Sequence, residues 1–537
     1  MRNRVKCRGK TIRAAVALIV VGSAGGAAPA WADDAKATSS TAPGELAPDP
    51  SFGLDPATPQ IAALPGGTTP SFGQRSLSED EWRFDFHGLI RAPLNMGINT
   101  RAHEMVTQGP GQTNLVLHAP PIVPDDLETF SHTGVIPTTY AQMNFSEGNS
   151  VVSANVSIVA MQANVSESFL EPADQLGITD VYLSFLPTLP DRRFRLQILA
   201  GAFPTRYGSP GEYDLGRYGT PLIAQINGVG ELATLRYALN PDVVLMAEEG
   251  FHGQTNKANV SITPDVWNDF ADPGVGSTFV GHFHLGASIQ RKVTLGAHFF
   301  RAFSLDDRVG PNEPDGRINI FAADVRVGMG RFGSFYGAYS YTSALQARDL
   351  SRVISVLNTQ GGPGLMQEYL GPNSGGTGTL STAGGQYDLS IGKLVSYPTP
   401  FSGDGPDVVV SVFGMLTHVT SADPGYFAPA PSNTPWNGAT KAKFGVEGTY
   451  SLLSWLAASL RFDQVNPMTK DSDLSFSEIS PRLIFHSDWQ STDQIVLQYT
   501  HWFYGSLTPV RDGEPPMYDF TTYPDPDTLS ISASMWW

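Results

Sequence analysis

The chain has 537 residues, 16% of them charged and 10% aromatic, and a formal charge of −17 at pH 7. Such an acidic balance argues against nucleic acid as a partner, because the phosphates would repel it. The 55 glycines and 41 prolines favour a chain of many turns and strands over a helical one.

The first 32 residues have the pattern of a secretory signal peptide. A basic region runs from Arg2 to Arg13, an apolar core occupies 14–21, and residues 30–32 form an A-x-A cleavage site. The apolar core is much shorter than the ~20 residues of a membrane-spanning helix. Cleavage after Ala32 removes six cations and no acid, which lowers the charge from −17 to about −23. It also removes Cys7, the only cysteine, so no disulfide or thiolate chemistry is expected.

Residues 33–80 are rich in alanine, proline, serine and threonine, and Pro-Ser-Phe-Gly occurs at both 50–53 and 70–73. This composition cannot bury enough apolar surface to fold by itself. We predict a flexible periplasmic leader, with a tether to peptidoglycan or to a partner as the functional alternative.

For residues 81–537 we predict an all-β fold, a transmembrane antiparallel β-barrel of about 18 strands, with 16 as the alternative. The strand patterns lie near 82–98, 136–146, 151–163, 177–187, 193–204, 228–239, 241–252, 278–290, 292–303, 316–328, 331–345, 384–395, 406–418, 441–451, 454–465, 476–487, 492–504 and 527–537. Long and short links alternate along most of the chain, which is typical of barrels with long extracellular loops and short periplasmic turns. A β-propeller would repeat in four-strand blades, and no such period is present. A barrel this wide is not filled by its own side chains, so a water-filled pore narrowed by a loop is expected.

The first strand shows two distinct faces. Its apolar residues share one parity and should face lipid: Trp82, Phe84, Phe86, Ile90 and Leu94. The other parity should face the pore and contains Arg83, Asp85, His87, Leu89 and Arg91.

The segment Phe84-Asp-Phe-His-Gly-Leu-Ile-Arg91 resembles the opening strand of maltoporin and related sugar porins, which reads F/V-D-F-H-G-Y-x-R. The resemblance implies an 18-stranded barrel that assembles as a homotrimer, with an inward-folded third loop and a line of aromatic residues that guides sugar rings. Arg91 matches the arginine of the family's polar track. Leu89 replaces a tyrosine of the aromatic line, so one stacking platform of that line is missing here.

The loop after the fifth strand, about 205–227, is the candidate channel constriction. Its side chains supply charges of both signs and flat aromatic faces; they are Arg206, Tyr207, Glu212, Tyr213, Asp214, Arg217 and Tyr218. Opposed charges across a narrow pore orient polar solutes, and aromatic faces stack on sugar rings. An ordinary extracellular loop whose arginines pair with its own acids is the alternative.

Parity along other strands adds further pore-lining candidates. Arg195, Arg236, Arg461, Asp463 and Arg482 alternate with apolar residues. A cation facing lipid at the midplane would cost roughly 2–4 kcal/mol, so these charges should face inward.

Three histidines fall on neighbouring predicted strands. A turn near Arg291 would place His284 opposite His298, with His282 on the same face. Imidazoles at that spacing could bind a transition metal, but we favour a polar lining, so neither a metal site nor a cofactor is predicted. The sequence contains no G-x-S-x-G, H-E-x-x-H or P-loop motif, and an enzyme is not expected.

The C-terminal segment 529–537 alternates serines with apolar residues and ends in Trp537. It resembles the signal by which the outer-membrane barrel assembly machinery recognises its substrates. The sequence therefore predicts a barrel in the outer membrane of a Gram-negative bacterium, in contact with membrane lipids and lipopolysaccharide. The expected function is passive diffusion of small hydrophilic solutes, carbohydrates first. A general or ion-selective porin is the alternative, and a surface receptor or adhesin barrel without an open channel is the second alternative.

Overall fold

The computed structural model describes residues 82–98, 138–149, 151–163, 175–191, 193–207, 223–253, 278–290, 292–304, 316–345, 357–359, 377–395, 406–421, 439–466, 469, 475–487, 493–504 and 527–536. The predicted signal peptide (1–32), the leader (33–80) and Trp537 lie outside these ranges. Within the described part of the chain, no helix has the length and apolar character needed to cross a membrane.

The described chain is almost entirely strand. The first ten strands are β1 (Arg83–Ile98), β2 (Thr138–Gly148), β3 (Val152–Ala163), β4 (Gln175–Phe185), β5 (Phe194–Tyr207), β6 (Ala224–Asn240), β7 (Val243–Gly253), β8 (Thr278–Ile289), β9 (Val293–Ser304) and β10 (Arg317–Gly328). The others are β11 (Ser334–Leu345), β12 (Leu357–Thr359), β13 (Gly378–Ser390), β14 (Val408–Ser421), β15 (Ala439–Leu453), β16 (Leu456–Asn466), β17 (Phe476–Phe485), β18 (Gln494–Tyr504) and β19 (Asp527–Trp536).

All strands except the short β12 form one closed antiparallel ring. Each ring strand pairs with the next along the chain, and β11 pairs directly with β13. The ring closes between the two ends of the domain, where Ile90 lies opposite Met535 and Leu94 opposite Ile531. Closure pairs the two edges that would otherwise stay open, so an 18-stranded barrel results and the predicted fold class is confirmed.

The links between strands alternate in length, as predicted. The turns at 241–242, 290–292 and 454–455 are short, whereas the links at 99–137, 254–277 and 505–526 are long. The two sets emerge at opposite ends of the barrel, because successive strands run antiparallel. The short turns are the periplasmic ones and the long links are the extracellular loops.

Apolar and polar side chains lie on opposite surfaces of the ring. Large apolar residues are exposed on its outer face, as on β1, where Phe84 is 65% and Leu94 51% exposed. Buried polar residues occupy the alternate positions, among them Gln142, Asn144 and Ser157, which hydrogen-bond one another. An apolar outside and a polar inside are what a barrel in a bilayer requires.

The predicted strand 384–395 is wrong at its end, because residues 391–395 form one short helix, α1 (Ile391–Val395). The side chain of Ser390 accepts a hydrogen bond from the backbone N–H of Lys393, and Asp407 accepts one from that of Gly392. Such side-chain acceptors satisfy the free N–H groups of a first helical turn. The strand therefore stops where a capping serine offers the backbone a helical alternative.

Candidate functional site

The hairpin of β5 and β6 leaves the barrel wall at its extracellular end. The two strands stay paired as far as Tyr207 and Ala224, whereas β7 pairs with β6 only up to Val229. Above that point the free edge of β6 pairs with β12 instead, with Leu357 opposite Ile226. We call residues 203–207 and 223–228 the inward hairpin.

Glycines permit this departure from the wall. Gly201 has a φ of +137°, a conformation that side chains disfavour, and a Cβ there would lie 2.2 Å from the carbonyl oxygen of Val181. Gly230 lies opposite Gly201, and its Cβ would lie 2.1 Å from the carbonyl oxygen of Phe251. The hairpin therefore bends where its backbone approaches both neighbouring strands closely.

Tyr207 fixes the inward hairpin to the inner face of the neighbouring strands β7, β8 and β9. Its hydroxyl donates a hydrogen bond to Oε1 of Glu248 on β7 at 2.7 Å and lies 2.6 Å from Nε2 of His282 on β8. Its ring packs edge-on against Phe300 on β9, with centroids 5.0 Å apart. Since β8 and β9 lie two and three strands beyond β6, these contacts place the hairpin tip over the inner face of the wall.

Tyr207 was expected to offer a flat face to a passing sugar, and the structure corrects this expectation. The side chain has no exposed surface and serves as an anchor. Thr234 donates a 3.0 Å hydrogen bond to the second oxygen of Glu248, so the carboxylate is held from two sides. An aromatic ring in this position sets the place of the hairpin and cannot stack on a solute.

A histidine cluster lies beneath the hairpin, comprising His252, His282, His284 and His298. The predicted pairing of His284 with His298 is present in the register of β8 and β9. Their rings are parallel, 4.2 Å apart with an interplanar angle of 5°. His298 in turn lies 2.5 Å from Oδ1 of Asp324 on β10, which joins a third strand to the pair.

A second group, here called the charged wall, occupies the inner face of β15, β16 and β17. Its members are at most 9% exposed, and they are Lys443, Glu447, Arg461, Asp463, Glu478 and Arg482. Arg461 donates two hydrogen bonds to Asp463, at 2.7 and 2.8 Å, and its guanidinium lies over the ring of Phe413. Arg482 donates a 3.4 Å hydrogen bond to Glu447. Charges of both signs thus alternate on one side of the interior.

The structure describes the other predicted residues in different detail. Arg91 is buried on the inner face of β1, Asp85 is half-buried, and Arg195 lies opposite Arg236 on the lower part of the β5–β6 pair. For three residues only the backbone is described: Arg83, His87 and Arg206. The remaining constriction candidates lie outside the described residues: Glu212, Tyr213, Asp214, Arg217 and Tyr218.

Three acidic residues at these two places were missed by the sequence analysis: Glu248, Asp324 and Glu447. All three alternate with outward-facing positions on strands that were predicted correctly. Strand parity would have placed them on the inner face. Their hydrogen-bond partners could not be predicted, because those depend on the register between strands.

Three features together indicate the class of protein: the charged wall, the apolar outer surface and the closed ring. The chain folds as a bacterial outer-membrane β-barrel. A comparison with models of known protein families and with curated protein sequences finds no match.

A comparison with solved structures finds similarity to bacterial outer-membrane proteins. OccK8 (OprE) of Pseudomonas aeruginosa is 9% identical, with 86% of this chain and 99% of that chain covered and a TM-score of 0.39. OprD of the same organism is 8% identical, with coverages of 86% and 95% and a TM-score of 0.36. OmpT of Vibrio cholerae, solved in a trimer form, is 8% identical, with coverages of 85% and 100% and a TM-score of 0.29. These similarities do not show that the chain belongs to the maltoporin family.

Proposed function

We propose that the protein is a porin that lets small hydrophilic solutes diffuse passively across the outer membrane. The observation that carries the proposal is the polar and charged inner face of a closed 18-strand barrel. An adhesin or receptor has no need for charges inside its barrel, where each buried ion must be compensated. A channel for polar solutes requires them, because its lining replaces part of the water around the solute.

The inward hairpin supports a fixed constriction. It is joined to three strands of the wall through Tyr207 and to a distant part of the chain through β12. A segment held in this way narrows the interior without a moving gate. Passive diffusion through a permanent narrowing needs neither a cofactor nor an energy source.

Carbohydrates are the proposed solute class. The support is the opening segment Phe84–Arg91 and a lining whose carboxylates and guanidiniums can bind sugar hydroxyls. Ions are the second candidate class. The charged wall favours them, since carboxylates and guanidiniums in a pore lining can replace part of the water around an ion.

The test is single-channel conductance of the purified protein in a planar bilayer, titrated with maltooligosaccharides. Saturable block by the sugars is expected for a carbohydrate porin. Channels that conduct but ignore the sugars would move the assignment to an ion-selective or general porin. If gel mobility shows that the barrel is folded and no conductance is observed, the porin function is refuted and a surface receptor is favoured.

A separate variant tests whether the inward hairpin narrows the channel. Tyr207→Ala removes the anchor and should raise the conductance, because the hairpin tip is no longer held over the wall. Tyr339→Ala is the matched control, since this tyrosine is 50% exposed on the outer face of β11. An equal change in the two variants would contradict a constriction at the hairpin.

A further inference from the structure

Three side chains from three adjacent strands meet at mid-height on the inner wall. They are His284 on β8, His298 on β9 and Asp324 on β10, and one nitrogen or oxygen of each lies within 4.8 Å of the others. All three are buried, at 1%, 4% and 7% exposure. Two imidazoles and a carboxylate in mutual reach form the donor set that Zn²⁺ and similar ions prefer.

His284 is the side chain that a polar lining does not explain. Among the described residues, neither of its ring nitrogens has a hydrogen-bond partner, although the side chain is buried. Burying a polar nitrogen without a partner is unfavourable, because the nitrogen loses its hydrogen bonds to water. Its neighbour His298 has a partner in Asp324 at Nε2, so one of its two ring nitrogens is paired, whereas neither nitrogen of His284 is.

The backbone of β9 is shaped to let these groups converge. Gly296 lies on the same face as His298, and a Cβ there would lie 2.1 Å from Oδ1 of Asp324 and 2.8 Å from Nε2 of His298. Its φ is not in the left-handed region, so the glycine is required for space alone. Any larger residue would push the carboxylate away from the imidazoles.

We propose that His284, His298 and Asp324 bind one divalent transition-metal cation on the inner wall of the barrel. Ligands of one tetrahedral zinc ion lie about 3.4 Å apart, given metal–ligand distances of ~2.1 Å. The ligand atoms lie up to 4.8 Å apart, so the most distant of them must approach by up to about 1.4 Å. His298 and Asp324, now 2.5 Å apart, must separate by about 0.9 Å. The ring of His284 can turn without breaking a hydrogen bond. The ion gives a partner to His284, neither of whose ring nitrogens has one among the described residues.

The surroundings of the site favour a cation. Glu248 lies opposite His284 on β7 and adds negative charge beside the site, while its oxygens bind Tyr207 and Thr234. Three protein ligands leave a further coordination position for water or for a solute group, as in zinc sites that bind exchangeable ligands. The site does not depend on conductance, and it can be tested whether or not the barrel conducts.

The experiment is a calorimetric titration of Zn²⁺ into the tag-free, chelator-treated full-length protein in detergent. One saturable zinc ion per chain is expected. Co²⁺ in place of Zn²⁺ should give the visible absorption bands of a nitrogen- and oxygen-ligated ion. A folded wild-type barrel without saturable Zn²⁺ binding would overturn the proposal.

His284→Ala is the decisive variant, because it removes a ligand and breaks no hydrogen bond, so the barrel should still fold. It should lower the zinc affinity at least tenfold, and Asp324→Asn, which keeps the shape of the side chain, should do the same. His418→Ala is the matched control, an exposed histidine on β14 that contacts Thr440, and it should bind zinc as the wild type does. Unchanged affinity in both ligand variants would place the ion elsewhere and refute the site.

Discussion

Single atoms decide how closely the strands approach one another around the histidine cluster. Gly250 and Gly296 leave the space that the rings of His282 and His298 occupy, and a Cβ at Gly250 would lie 2.3 Å from the His282 ring. Tightly packed interiors accommodate an extra methyl only by displacing neighbours. Glycine at these positions is thus part of the site, although it contributes no functional group.

Gly296→Ala should destabilise the barrel by about 1–3 kcal/mol, because its methyl displaces the Asp324 carboxylate. The measurement is the midpoint of guanidinium unfolding in detergent. Gly448→Ala is the control, since a Cβ at Gly448 meets nothing within 4 Å. Similar midpoints for the two alanine variants would show that the space over Gly296 is not needed.

The ion pairs of the charged wall should contribute more to the free energy of unfolding than those at the barrel ends. Arg461→Ala should lower the unfolding free energy by about 3–5 kcal/mol, because it leaves Asp463 buried without its guanidinium partner. Guanidinium unfolding of the purified barrel measures the loss. A fall as small as that of an exposed arginine variant would contradict the buried pairing.

Arg193→Ala supplies that exposed comparison. Arg193 and Asp191 form a bidentate pair in a periplasmic turn, with side chains 56% and 41% exposed. The hydrogen bond from Arg193 holds the pKa of Asp191 below its usual 3.8. The contribution of the pair is therefore present above pH ~4 and is lost as the pH falls through the lowered pKa. Little stability should be lost at pH 7, since exposed pairs are screened by solvent.

At the scale of elements, the extent and the bend of the inward hairpin could not be predicted from sequence patterns alone. The segment 205–227 was interpreted as a loop, whereas β5 continues to Tyr207 and β6 begins at Ala224. Alternation predicted which residues face inward, because it depends on neighbours within one strand. The bend at Gly201 could not be predicted, because it depends on which glycine lies opposite and on where β7 ends.

Gly201→Ala should disturb the hairpin more than any other single methyl in its neighbourhood. The residue would have to adopt a φ of +137° and would contact the backbone of Val181 at 2.2 Å. A loss of roughly 1–3 kcal/mol is expected for such strain. Thermal unfolding followed by circular dichroism measures it. Gly253→Ala on β7 is the control, since its nearest contact would be an ordinary 3.5 Å.

At the scale of the whole molecule, closure of the ring makes the first and last strands equally important. The pairing of β1 with β19 joins residues that are separated by nearly the entire domain. The sequence predicted the number of ring strands and the alternation of links, since both follow from local patterns. The meeting of Asp324 with His298 was not predictable, because it requires the register of β9 and β10.

Deletion of 527–537 should abolish the folded barrel, because β1 and β18 would each keep an unpaired edge in the membrane. Heat-dependent gel mobility of isolated outer membranes distinguishes folded from unfolded protein. A chain that lacks 34–80 serves as the control and should fold normally, as expected of a leader outside the ring. A folded barrel after the first deletion would contradict closure through β19.

The short strand β12 gives the inward hairpin a second attachment. It follows β11 in the chain yet hydrogen-bonds to β6, which lies five strands away along the ring. The pairing occupies the edge of β6 that β7 leaves free beyond Val229. The inward hairpin is therefore held by two separate parts of the chain, and displacing it would require both attachments to break.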